Sequence, residues 1–154
     1  MNSKESFSAA IISLILILVV ALLGVTGGAN AVQMPGSVEN AKLRMSFDGG
    51  EVVVSLYDTP ASRELVTMLP LTLSFEDYAS TEKVAYLPRK LSSGDSNSTL
   101  PPGDFTYYAP WGNLAIFYKG YGQASGLYAL GRIESGKKLL AGLKGNFTAK
   151  IELQ

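Results

Sequence analysis

From residue 41 onward, apolar and polar positions alternate in short runs. In "AKLRMSF" Leu43, Met45 and Phe47 fall on one side and Lys42, Arg44 and Ser46 on the other, the period of a half-buried strand. "EVVVSLY" follows as a second, β-branched strand. Asp48, Gly49 and Gly50 between them tolerate the positive φ of a tight turn, so the two runs predict a hairpin. In "DTPASRELVTMLP" the spacing becomes helical: Ala61, Leu65, Met68 and Leu69 form one apolar stripe. Asp58 or Thr59 can cap this helix, and Pro60 suits the first helical position, where an N–H would be unpaired anyway. Pro70 closes the segment, and Leu71 to Phe75 and Lys83 to Leu87 predict strands on either side of an acidic turn, "EDYAS".

"SSGDSNSTLPPG" at 92–103 is a loop, too polar to pack. Beyond it, strands are predicted near Phe105–Tyr108, Leu114–Tyr118 and Leu127–Ile133. "ESGKKLLAGLKG" offers a short helix over Leu139, Leu140 and Leu143, stopped by Gly145. "NFTAKIELQ" alternates Phe147, Ala149, Ile151 and Leu153 as a last strand. The pattern is therefore mainly β, about eight strands with two short helices. Many short strands punctuated by Gly and Pro favour a closed barrel, because closure removes exposed edges.

The N-terminus follows a different rule. Lys4, an apolar run from Ala9 to Val25, and a small-x-small site at Ala29-Asn30-Ala31 predict a signal peptide over 1–31, with an uncleaved anchor as the alternative. Residues 32–40, with Pro35 and Gly36, read as a linker to a domain at 41–154. The expected localisation is thus exported, with membrane contact only through the N-terminal segment if it stays attached. Removing Lys4 and Glu5 from 13 basic and 13 acidic residues leaves 12 of each. That balance argues against nucleic acid as a partner.

Histidine and cysteine are both absent from the 154 residues. Nucleophile systems built on a Ser–His or Cys–His pair are excluded, as are His-ligated zinc and disulfides. No cofactor or metal site is expected. "GRIESGKK" at 131–138 fits G-x-x-x-x-G-K, but Lys138 occupies the position of the magnesium-holding hydroxyl. A glycine turn into a helix with solvent-facing lysines fits it better. "GDS" at 94–96 places Ser96 in a polar loop without a base, and the neighbours Glu76 and Asp77 point apart on a strand.

Seven of the fifteen aromatic residues lie between 103 and 122. Alternation divides them: Phe105 and Tyr107 share a face opposite Tyr108, while Phe117 lies opposite Leu114, Ile116 and Tyr118. Trp111, in "APWGN", sits at a turn near the surface, as a recognition ring or as a lid on a barrel end. "YLPRKLS" puts Arg89 just after a strand, where a guanidinium can bond a carbonyl or carboxylate ligand.

The succession "YLPRKLS", "PPGDFTYYAPWGNLAIFYKGYG" and "GLYALGRIESG" strongly resembles the bacterial cyclophilin-like family, barrels of the cyclophilin type without an assigned activity. The resemblance runs from about Leu43 to Leu153 and implies an eight-stranded closed barrel with a helix at each end. Similarity to the prolyl isomerases themselves is weaker. "GDFT" at 103–106 echoes their "GGDFT", Pro101-Pro102 stand where they carry glutamine, and their pocket histidine has no counterpart. Two functions follow as expectations. One is a module binding a peptide or small molecule through Tyr86, Phe105, Tyr107 and Trp111, with Arg89 as polar anchor. The other is a weak peptidyl-prolyl isomerase with Arg89 as the catalytic residue.

Overall fold

The computed structural model describes residues 35–92 and 103–154. The expected signal segment and Ser96 lie outside the described residues. The alternating runs form strands β1 (Lys42–Phe47), β2 (Gly50–Leu56), β3 (Leu71–Tyr78), β4 (Glu82–Tyr86), β5 (Phe105–Tyr108), β6 (Asn113–Phe117), β7 (Leu127–Ser135) and β8 (Phe147–Leu153). Helix α1 is Pro60–Val66 and α2 is Lys137–Gly142. The strands close into an antiparallel barrel in the order β1-β2-β7-β5-β6-β4-β3-β8. The expected barrel of eight strands and two helices is thus the one observed.

Local chemistry explains the elements. Phe47 pairs with Gly50 across a two-residue Asp48-Gly49 turn, with Gly49 at φ 92°, a left-handed conformation that glycine adopts without steric cost. Thr59, and not Asp58, caps α1: its side chain accepts from the Ser62 N–H at 3.0 Å. Asp58 instead accepts from Arg63 and from the Val38 N–H. That bond draws part of the expected linker onto the barrel, where Val38 is buried. The first helix stops at Val66, one turn earlier than its stripe suggested, and Met68 and Leu69 are only partly buried. The acidic turn is narrower than expected, since β3 runs through Tyr78 and the chain reverses at Ala79 and Ser80, both at positive φ.

Inward-facing residues from every strand fill the barrel: Leu43, Met45, Val52, Val54, Phe75, Ala85, Phe105, Tyr107, Leu114, Ile116, Leu130 and Ile151 are all buried. An eight-stranded barrel has an interior just wide enough for side chains, and here they occupy it. α1 seals the end where β2 finishes, with Ala61 and Leu65 buried and Ser62 Oγ donating to the Leu130 carbonyl. α2 covers the end where β2 begins, through Leu140. Leu139, one of the leucines of the expected helix, is exposed, because a six-residue helix turns only one side to the barrel. A packed interior sends any ligand to the outside of the wall.

Candidate functional site

The outer face of β3, β4, β6 and β5 carries an unusual row of side chains. Pairing aligns Tyr78 with Glu82, Glu82 with Phe117, Val84 with Ala115, and Tyr86 with Asn113; Tyr108 also pairs with Asn113. Paired residues share a face, so these form one outer surface. An outer surface is normally wet, yet Val84, Ala115, Thr106 and Asn113 are all nearly inaccessible. Something covers them.

Two pieces of irregular chain supply the cover. The turn after β5 projects Trp111, whose ring meets Tyr78 edge-on at 5.7 Å and Tyr108 edge-on at 5.5 Å between centroids. The turn itself is held by Lys90, which donates to the Pro110 carbonyl at 3.2 Å and lays its stem against Gly112. Gly112 sits at φ 76°, and a Cβ there would lie 2.8 Å from that stem. On the other side, the segment before β7 brings Gly122, Gln123 and Ala124 over Phe117. A Cβ on Gly122 would fall 2.2 Å from the Phe117 ring, so only glycine lets the segment come this close.

Between these covers a cavity of about 280 Å³ remains. Its floor is Val84 and Ala115, its walls include Tyr78, Tyr108, Trp111 and Phe117, and its polar members include Glu82 and Asn113. Among the described residues, no lysine or arginine lines it. Burial pushes the Glu82 carboxyl above its ordinary pKa. Asn113 donates from Nδ2 to the Leu114 carbonyl, while its Oδ1 is buried and has no partner among the described residues. The cavity is aromatic, with a carboxyl and two side-chain amides, Asn113 and Gln123, and no cation among those residues.

The candidate residues from the sequence separate in space. Trp111 lines the cavity, and Tyr86 lies exposed on the same outer face beside Asn113. Phe105 and Tyr107 do not reach it. Both point inward and are about 1% exposed, and the Tyr107 hydroxyl accepts from the Leu91 N–H. Alternation pairs Phe105 with Tyr107 but does not say which side is the core. Arg89 also lies elsewhere: it pairs with Glu64 and donates to Thr67, both on or just after α1. Glu64 in turn accepts from the Ser92 N–H and hydroxyl, so Arg89 anchors the loop after β4 to the helix.

Sequence reasoning passed over Tyr78, Glu82, Asn113 and Phe117 as a group. Each strand's alternation marks them as outward, but only the β4–β6 pairing brings them together, and these strands are not consecutive in the chain. The G-x-x-x-x-G-K segment is also accounted for. Lys137 does not face solvent freely but binds the buried Asp104 at 2.9 Å, while Asp104 Oδ1 accepts from the Ile133 N–H at 2.6 Å. Its lysine is part of a structural clasp.

A family model described as the cyclophilin-like family matches residues 45–152. No curated protein matches the chain. Among solved structures, the solution structure of a hypothetical protein from Archaeoglobus fulgidus is similar at a TM-score of 0.57 and 20% identity, over 74% of this chain and 95% of that one. At that identity the likeness concerns the fold alone.

Proposed function

The chain belongs to the cyclophilin-like family, and from that premise we propose that it is a binding module whose site is the roofed cavity on the outer face of β4 and β6. The observation that carries this reading is the burial of Val84 and Ala115 on an outward face, beneath Trp111, with about 280 Å³ left open between. A wall that only needed a dry exterior would fill that space. Concave, largely apolar sites with a few polar groups are where proteins hold peptides and small molecules. The volume lies just below the usual range for drug-sized ligands, about 300–1,000 Å³, and suits one side chain or a small molecule.

The isomerase alternative draws no support from the geometry. It needs a guanidinium in the groove, and Arg89 is engaged by Glu64 away from the cavity. The N-terminal segment of the sequence supports an exported location for the module.

The test is a titration of the full chain with capped pentapeptides Gly-Gly-Xaa-Gly-Gly, Xaa being Lys, norleucine, Phe or Glu. Trp111 is the only tryptophan, so its emission reports the site directly. A saturable change with at least one peptide is expected, and Tyr78→Ala, which strips one cavity wall, should abolish it. No change with any of them at millimolar concentration would overturn the reading.

A further inference from the structure

The cavity has a direction. Along the β4–β6 pair, Glu82 and Phe117 stand at one end, Val84 and Ala115 in the middle, and Asn113 opposite Tyr86 at the other. Four residues of strand separate the ends, about 13 Å at roughly 3.3 Å per residue. Two of its acceptors lack a partner among the described residues. Glu82 has no side-chain ion pair or hydrogen bond among the described residues, and burial alone raises its pKa. Asn113 Oδ1 is a buried acceptor without a donor among them. A buried acceptor left unpaired is costly unless a ligand supplies the N–H.

Two unpaired acceptors at opposite ends, an apolar floor between them, and rings around them define a complementary shape. It carries positive charge and N–H at one end, methylenes in the middle, and a second N–H beyond. The rings favour the same charge, since their faces attract cations. A free small amine would satisfy one end only. The aromatic surface also continues past the Asn113 end of the cavity, where Tyr86 is 59% exposed, which leaves a platform there for more chain.

We propose, resting on the binding reading above, that the occupant is an extended polypeptide bearing lysine or arginine. Its cationic head lies at Glu82, its stem over Val84 and Ala115, and a main-chain N–H reaches Asn113 Oδ1. Glu82 supplies the selectivity for charge and Asn113 the selectivity for a peptide over a free amine.

Three probes test this on the full chain through Trp111 emission: capped Gly-Gly-Lys-Gly-Gly, its norleucine counterpart, and n-butylammonium. The lysine peptide is expected to bind about tenfold more tightly than the norleucine peptide, the scale of a charge-assisted contact aided by cation–π attraction. Glu82→Gln should abolish that preference while leaving norleucine binding in place. Asn113→Ala should weaken both peptides alike and leave n-butylammonium unchanged. Equal affinity for the lysine and norleucine peptides in the native protein would overturn the cation assignment and leave the binding reading standing. Binding of n-butylammonium as tight as that of the lysine peptide would overturn the polypeptide assignment. Silence from all three probes while the Phe or Glu peptide binds would overturn the cationic-polypeptide assignment alone, and silence from every peptide would overturn the binding reading itself.

Discussion

Trp111 stands edge-on to Tyr78, ring centroids 5.7 Å apart and planes at 85°. The two residues lie on different turns and strands, 33 positions apart in the chain, and their contact spans the cavity that the outer wall leaves open. With the second edge contact to Tyr108, Trp111 roofs a surface that would otherwise be wet.

Replacing that roof should therefore have two effects. Trp111→Ala removes two edge-to-face pairs, each worth about 0.5–1.5 kcal/mol beyond area burial, from a ring that is half exposed. A loss of about 1–2 kcal/mol in denaturant-unfolding stability is expected, together with loss of peptide binding measured by calorimetry. Unchanged binding would mean that the roof is not part of the site.

Glu82 should act against the fold. Its folded-state pKa is raised, by desolvation, so its ionised form is disfavoured in the native protein. The native state is then penalised above the unfolded-state pKa of about 4.3, and not penalised well below it. Glu82→Gln is expected to raise the melting temperature at pH 7, with the gain fading toward pH 3.5, where the carboxyl is largely protonated in both states. A melting temperature lowered at pH 7 would contradict this.

At the α2 end of the barrel, the fully buried Lys83 binds Asp77 at 2.8 Å and the Leu143 carbonyl at 2.7 Å, and the Tyr118 hydroxyl donates to Asp77 at 2.7 Å. Desolvation and the bond to Asp77 push the Tyr118 phenol up to about 12. A raised folded-state pKa gives stability that is complete below the unfolded value of about 10 and disappears as pH climbs through the folded value. The difference in unfolding midpoint between the native protein and Tyr118→Phe should hence be constant from pH 7 to 9 and shrink above 10. A difference that persists unchanged at pH 12 would rule out this contribution.

Asp104 is a buried carboxylate serving two elements, the Ile133 N–H in β7 and the ammonium of Lys137 in α2. Asp104→Ala leaves a buried N–H unpaired and releases α2 from the wall. A loss of about 2–4 kcal/mol is expected from urea unfolding. The same lysine is thereby unavailable to a phosphate, so millimolar ATP should leave the melting temperature unchanged.

The fold was largely legible because its signals are local. Alternation in Leu43 and Met45, the Asp48-Gly49 turn and the Thr59-Pro60 cap each act within a few residues, and each appears where the pattern put it. The site was much less so. Trp111 reads as a ring near the surface and lies there, but Phe105 and Tyr107, named for the same groove, belong to the core, a choice made by strands β6 and β7 on either side of them. Arg89 reads as a free anchor until the fold sets Glu64, 25 residues earlier, against it. Glu82 and Asn113 share a cavity only through the pairing of two strands that are not neighbours in sequence. Long-range register, and not residue type, carries that information.

The most direct measurement is a ¹H–¹⁵N correlation spectrum of the isotopically labelled full chain, titrated with capped Gly-Gly-Lys-Gly-Gly. Saturable shifts confined to Glu82, Val84, Asn113, Ala115 and the Trp111 indole are expected if the outer cavity is the site. Shifts centred on Arg89, Glu64 and the residues of α1, with the cavity signals unmoved, would contradict it.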